Sequence, residues 1–426
     1  MQTADHRRAG RRRRALRGLL KSLALLVAVY FVLGWLGFKI ARTSRVPVPL
    51  SGSALETSRA TTGRLDDEVR RPANLIVVVA DGLGFAHLAA ARAALHGMGG
   101  SAAWDRFPVS GWHQPHSATG FLVDSAGSAT ALATGVPTHN DRLSVDIDGR
   151  PLETLFERAT ARGYRTGVVT DSYVWDATPA AFVVHSASRD DAASILRQLG
   201  DSELEILVGE LEDLGEGEVP EREPTLALLA SRFRLFGPDA ASTEEFLGAG
   251  HEGGPVAAIF DEDQVTDLRS TPSLPPLLGV ALRRLASDER PFLLLVESEE
   301  ADSASHSADL GRLLRGMEVI EAALHQVLDF AAADGETLVL FTSDHETGGL
   351  ALSISDNTNK KLKALWPTTD HTGVVVPLFA AGPGAEAFDG FHFSWEVGRR
   401  LREMLDRPPP AEAASSTGAT APEPGD

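Results

Sequence analysis

The chain has 426 residues, 43% of them hydrophobic, enough for one large core or two modest ones. It has no cysteine, which excludes disulfides, thiolate metal sites and a cysteine nucleophile; any metal must be held by His, Asp, Glu or a hydroxyl. The formal charge of −19 is uneven: residues 1–45 carry eleven Lys/Arg against Asp5 alone, or +10, so the remainder stands near −29, and a body so acidic argues against nucleic-acid binding.

The N-terminus reads as a targeting or anchoring signal. Eight basic residues, Arg7, Arg8, Arg11 to Arg14, Arg17 and Lys21, precede an uncharged run of 17 residues from Ser22 to Phe38. That length is near the lower limit for a bilayer-spanning helix. The charge bias predicts a basic cytoplasmic segment over 1–21, a transmembrane signal-anchor over 22–40 and an exported remainder. A cleaved signal peptide is the rival reading, but the flank GFKIARTS has no convincing small-x-small site, and Arg13 to Arg17 fit a twin-arginine pattern only loosely. Residues 41–72 read as a polar tether and 407–426, rich in Pro, Ala and Ser, as a disordered tail. The globular body is expected over 73–406, on the periplasmic or extracellular side of a membrane.

Strand and helix patterns alternate through that body. Short apolar runs predict buried strands at Asn74–Ala80, Thr166–Thr170, Phe292–Val296, Thr337–Phe341 and Val374–Phe379. Pro377 weakens the last of these. Amphipathic stretches fall at Leu152–Arg162, Leu277–Leu285 and Leu310–Ala333. The third repeats Leu313, Leu314, Met317, Ile320, Leu324, Val327 and Leu328 at helical spacing. Alternation of this kind predicts an α/β sandwich around a largely parallel sheet, with the ligand site beyond the carboxyl ends of the strands.

Polar residues gather at those ends. Asp81 follows one strand, Glu297 another, and Asp344 and His345 a third. One such carboxylate is ordinarily a cap or a loop start. Three loaded strand ends argue for cations, because unpaired charge beside apolar strands is costly. Within ESEEADSASH, Asp302 and His306 are i, i+4 neighbours if the stretch is helical, a pairing that suits zinc. Asp344-His345 and the isolated His371 in DHTG are further candidates. The segment VDSAGSATALATG puts Ser125 at the start of a small-residue helix, whose amide groups favour an anion. A plain Ser N-cap is the alternative there.

DSAGSATALATG closely resembles the nucleophile motif of alkaline phosphatases. ADGLGF, WDATPAAFVVHSASR, ESEEADSASH, TSDHETG and DHTG resemble that family's other site segments, in the family's order, over roughly residues 74–400. The resemblance implies an alkaline-phosphatase-like three-layer sandwich and hydrolysis of phosphate monoesters through a phosphoserine on Ser125. It implies two Zn2+ and one Mg2+: Asp302, His306 and His371 for one zinc; Asp81, Asp344 and His345 for the other; Asp81, Thr178 and Glu297 for magnesium. Arg189 would grip phosphate, Asp124 would orient Arg189, and Asp176 would act on magnesium through water. Small-molecule monoesters are the expected partners, and a homodimer is an open assembly.

Some features depart from the family's pattern. Glu297 is followed by Ser298, Glu299 and Glu300, where Gly often follows the metal-binding Glu. Glu299 and Glu300 are read as solvated. Ser303 stands where some members carry Lys or His, which leaves the third metal less secure than zinc. The remaining histidines, His87 and His113 among them, are read as surface or packing residues, and His185 as site-supporting or structural. Two other functions compete: a related superfamily hydrolase acting on phosphodiesters or other esters, and a non-catalytic, membrane-tethered metal- or phosphate-binding protein.

Overall fold

A computed structural model describes residues 69–97, 99–211, 222–249, 253–266, 268–354 and 362–406. The expected basic segment, anchor and disordered tail, with nearly all of the tether, lie outside these residues. Among the described residues no helix is long and apolar enough to cross a membrane.

The strands are β1 (Asn74–Ala80), β2 (Val109–Gln114), β3 (Arg165–Tyr173), β4 (Ile206–Leu211), β5 (Arg234–Phe236), β6 (Val256–Asp261), β7 (Phe292–Ser298), β8 (Thr337–Thr342), β9 (Glu346–Thr347), β10 (Ala351–Ile354), β11 (Leu362–Leu365), β12 (His371–Thr372), β13 (Val376–Ala381) and β14 (Gly390–Phe393). Ten form one sheet in the order β14-β2-β13-β8-β1-β7-β3-β4-β6-β5. Every pairing in it is parallel except the two made by β13, with β2 and β8.

The sheet lies between two helical layers. Ile76, Val78 and Ala80 of β1 pack in one core with Leu277 and Leu278 of helix Leu274–Leu285 and Met317 and Ile320 of helix Leu310–Asp334. Leu75, Val77 and Val79 pack in the other with Ala129 and Leu132 of helix Ser125–Thr134 and Leu401 of helix Ser394–Leu405. A strand covered on both faces needs apolar residues at every position, which is why β1 reads as an unbroken run. Each fully buried Leu or Val adds about 1.5–3 kcal/mol.

All five predicted strands form, within a few residues of their expected bounds. Pro377 is tolerated because it is the second residue of β13, and its carbonyl still accepts from the Thr342 hydroxyl at 2.8 Å. The long helix begins on an Asp309 cap, whose side chain accepts from the Arg312 amide, and stops at left-handed Gly335. Strands β2, β4, β6 and β14 are not among the predicted ones.

Candidate active site

The four central strands β8, β1, β7 and β3 lie side by side and end together. Their carboxyl ends deliver Asp344 and His345, Asp81, Glu297 and Thr170 to one place. Asp81, Glu297, Asp344 and His345 are all buried. The turn after Asp81 requires glycine twice over: Gly82 has φ +70°, and a Cβ there would stand 2.6 Å from Asp302. The Gly82 amide and the His345 amide both donate to Asp344 Oδ1, at 3.2 and 2.8 Å.

Ser125 is the first residue of its helix, and the cap is Asp124, whose Oδ1 accepts from the Gly127 amide at 2.9 Å. This frees the Ser125 hydroxyl from capping. Its Oγ lies 3.1 Å from His345 Nε2. The same Nε2 is 3.2 Å from Asp344 Oδ2 and 3.6 Å from Asp81 Oδ1.

Helix Glu300–His306 forms, so Asp302 and His306 do share a face, with His306 Nε2 3.1 Å from Asp302 Oδ2. His371, on β12, brings its Nε2 to 3.9 Å from Asp302 Oδ1. Both imidazoles are oriented from behind: His306 Nδ1 donates to the Thr369 carbonyl at 2.5 Å and His371 Nδ1 to the Val123 carbonyl at 3.1 Å. A carbonyl accepts only, so each donated Nδ1–H leaves Nε2 turned to the carboxylate. Among the described residues two groups converge closely enough to hold a cation: Asp302, His306 and His371, and Asp81, Asp302 and His345.

The electrostatics point the same way. Burial, then the carboxylates of Asp344, Asp302, Glu297 and Asp176, push the Asp81 carboxyl well above the usual range. Burial and then Asp176 do the same to Glu297. Burial is the largest influence on Asp302 and opposes its ionisation, but the hydrogen bond from His306, the charge of His345 and the Thr347 hydroxyl together outweigh it and hold that carboxyl down to about 2. The same bond lifts His306 to about 9. Among the buried oxygens of the described residues that make no hydrogen bond, four belong to this site: Asp81 Oδ1, Asp344 Oδ2, Glu297 Oε1 and Thr178 Oγ1, with His345 Nε2 beside Asp344 Oδ2 as an ion-pair contact only. An orphaned buried carboxylate oxygen costs about 1–3 kcal/mol or more unless a cation meets it. Oxygens and imidazole nitrogens in this arrangement fit divalent cations.

Thr178 lies in helix Ala177–Val183, which Asp176 caps. Asp176 Oδ1 also accepts from Arg189 Nη2 at 2.8 Å. Asp124 Oδ2 is a longer contact, 4.0 Å from Arg189 Nη1, and accepts instead from the Asp141 amide at 2.8 Å. The guanidinium is therefore oriented by the hydrogen bond it donates to Asp176, with Asp124, engaged by its own helix and by Asp141, as the more distant charge.

A family model described as "Alkaline phosphatase" matches residues 72–205 and 228–361. The chain belongs to the alkaline phosphatase family. It is 26% identical to alkaline phosphatase 4 of Bacillus subtilis (strain 168), an alignment covering 80% of this chain and 90% of the relative. The alkaline phosphatase of the Antarctic bacterium TAB5 superposes with a TM-score of 0.71 at 24% identity, over 79% of this chain and 99% of that one. A cold-active alkaline phosphatase from Shewanella sp. gives 0.69 at 26% identity, over 78% and 100%. The chain is thus a phosphoric monoester hydrolase of a metal-dependent family.

In this alkaline phosphatase two expectations are corrected. Glu300 is not solvated: it is buried and accepts from Arg312 Nε at 2.8 Å and Nη2 at 2.6 Å. Glu299 is half-buried, its Oε1 accepting from the Ser303 hydroxyl at 2.9 Å and its amide donating to Asp171 at 2.8 Å. His87 and His113 prove to be interior struts. The Gly84 amide donates to His87 Nδ1 at 3.0 Å, and Nε2 reaches the Ser305 hydroxyl at 3.0 Å. This ties the turn after β1 to the Asp302 helix. His113 Nε2 donates to the Ser343 carbonyl at 3.0 Å, bracing the turn that carries Asp344. Burial lowers His87 to about 4 and His113 to about 3, so both are neutral. His185 is structural, between the Ser144 carbonyl at 2.8 Å and Glu157 at 2.9 Å.

Site-shaping residues absent from the sequence reading are Thr170, whose hydroxyl donates to Glu297 Oε2, and Thr347, whose hydroxyl donates to Asp302 Oδ1. Asp171 is buried, and accepts from the Ser298 hydroxyl at 2.7 Å. Thr170 and Asp171 follow an apolar run just as Asp81 does, and that signal was available.

Proposed function

We propose that this enzyme hydrolyses phosphate monoesters through a phosphoserine on Ser125, at a site of two Zn2+ and one Mg2+. The observation that carries the reading is the set of orphaned buried oxygens around a hydroxyl free of capping duty. Asp302, His306 and His371 would hold one zinc, and Asp81, Asp344 and His345 the other. Asp302 lies close enough to serve both. Asp81, Thr178 and Glu297 would hold magnesium, with Asp176 beside it. Bound there, the cations supply charge that offsets the phosphate dianion and favours the ionised serine hydroxyl.

The chain's own residues do the rest. Arg189, steadied by Asp176, binds two phosphate oxygens with its planar fork. Ser125 Oγ, its proton given up to solvent, attacks phosphorus in line as the P–O bond to the alcohol breaks. The alcohol leaves with a proton from solvent. Water then attacks the phosphoserine, releasing inorganic phosphate and restoring the hydroxyl. The first turn of the Ser125 helix turns its amides toward the phosphoryl group and favours its negative charge.

We place the body outside the cytoplasm, tethered by 41–72 to a single signal-anchor at 22–40, on the strength of the basic segment before an uncharged run. Release of phosphate from p-nitrophenyl phosphate at alkaline pH, lost on chelation and restored by zinc with magnesium, tests the activity. A folded, metal-loaded protein that releases none from a range of monoesters refutes it. Membrane fractionation tests the anchor: a wholly soluble mature protein beginning beyond residue 40 overturns it.

A further inference from the structure

Of the nine large apolar side chains left open to water among the described residues, two lie just before the nucleophile in the chain and a third just after His371. Phe121 is 48% exposed, Leu122 51% and Val374 49%. Phe121 and Leu122 immediately precede Val123-Asp124-Ser125, and Val374 follows His371 by three residues. Four residues of even fully extended chain span about 14 Å, so Phe121 cannot be further than that from Ser125.

The two loops are fastened to each other and to the site. His371 Nδ1 donates to the Val123 carbonyl at 3.1 Å. Gln114 Nε2 donates to the Gly373 carbonyl at 3.2 Å. The Phe121 ring lies against Gly373, where any side chain would collide with it. The Phe121 loop is itself pinned, with the Ala118 amide donating to the Thr138 carbonyl at 2.6 Å and Thr119 Oγ1 3.1 Å from His139 Nδ1. These side chains are therefore held in place while still exposed, which is the condition for a preformed binding surface.

We infer that Phe121, Leu122 and Val374 form an apolar shelf that receives the alcohol portion of the substrate and selects monoesters of aryl or extended alkyl alcohols. The inference rests on the phosphatase reading and deepens it. Any ester with its phosphorus at Ser125 Oγ must carry its alcohol outward, because the phosphate side of the pocket is closed by Asp81, Asp344 and His345, all buried. The alcohol is thus the group delivered to the mouth of the site. An anionic membrane is the poorer occupant, since the chain beyond residue 45 carries a net charge near −29.

The test compares 2-naphthyl phosphate with glycerol 2-phosphate on the metal-loaded full chain. The ratio of their kcat/KM values is expected to fall about tenfold in Phe121→Ser/Leu122→Ser, the change that about 55 Å² of lost apolar contact brings. Val374→Ser is a second variant, expected to lower the ratio about threefold; thermal melts show that each is folded. An unchanged ratio in both folded variants overturns the shelf. So does a variant that loses dimerisation or vesicle binding at an unchanged ratio, which would make the patch an assembly or membrane face. Dissociation constants of phenylphosphonate and methylphosphonate, measured by calorimetry, read the preference without turnover. A parent that binds phenylphosphonate more tightly yet hydrolyses no ester leaves the shelf standing and refutes the phosphatase reading. Equal binding of the two phosphonates, with the esters hydrolysed, refutes the shelf alone.

Discussion

Glu297 and Glu300 are three residues apart and both buried, yet they are neutralised by opposite means. Glu300, at the start of a helix, is gripped through two hydrogen bonds by Arg312. Glu297, at the end of β7, receives one hydroxyl from Thr170 and leaves Oε1 without a partner. The chain brings its own cation to the first and none to the second. The difference teaches how to separate a structural carboxylate from a site carboxylate when both are buried and only a few residues apart. Burial does not distinguish them; an unmet oxygen does.

The largest effect is expected where the orphaned side meets the nucleophile. Ser125→Ala should lower kcat by at least about 10³-fold, with metal content by elemental analysis unchanged. A phosphoryl label still trapped on that variant breaks the assignment. Chelation should come next: bound metal at 100 times its Kd adds about 2.7 kcal/mol, so metal-free protein should melt several degrees lower and recover on adding zinc and magnesium. An identical melt with and without metal would mean the orphaned oxygens need no cation.

The two glutamates can then be set against each other. Glu300→Gln should cost about 1–3 kcal/mol in a denaturant melt, because it breaks a buried pair whose arginine is partly exposed, and should leave metal content intact. Glu297→Gln should lower metal content, while the metal-free protein loses little stability, because burial already disfavours the ionised carboxylate that the amide replaces. The reverse pattern would collapse the distinction.

The smallest effect lies at His185 and Glu157, which touch none of the candidate metal ligands. The hydrogen bond to Glu157 raises His185, so its contribution is fully present below the ordinary histidine pKa of about 6.5 and is lost as pH rises through the raised value. The same bond lowers Glu157, whose contribution is present above its ordinary pKa and lost as pH falls through the lowered one. The partly exposed pair is worth a few tenths of a kcal/mol after solvent screening. His185→Gln should therefore lower the melting temperature slightly near pH 5.5 and not at pH 9. Equal loss at both values would show that packing, not charge, is what His185 supplies.

Much of this was legible in the sequence because it is local. Unbroken apolar runs gave β1, β7 and β8, and Asp81, Glu297 and Asp344, within three residues of the ends of those runs, are brought together by the fold. Asp302 and His306 could be paired from helical spacing alone. What stayed hidden depends on contacts between distant segments. Strand β2, VSGWHQ, alternates buried and exposed positions and mixes polar residues with apolar ones, so it makes no apolar run. Glu300 looks like any charged residue until Arg312, a dozen positions on, is folded back against it. His113 has no motif, and its role appears only when β2, β8 and the turn at Ser343 come together.

Asp302 has a consequence of its own. It belongs to both clusters that can hold a cation, and Thr347 also draws on one of its oxygens. Two sites that share a ligand cannot fill independently: the first occupant fixes the carboxylate that the second must use, and by linkage each alters the affinity of the other equally. A zinc titration followed by calorimetry should then fit a coupled pair of steps and fail to fit two independent ones. Glu297, which lies outside both clusters, should leave that coupling intact when it is changed to Gln.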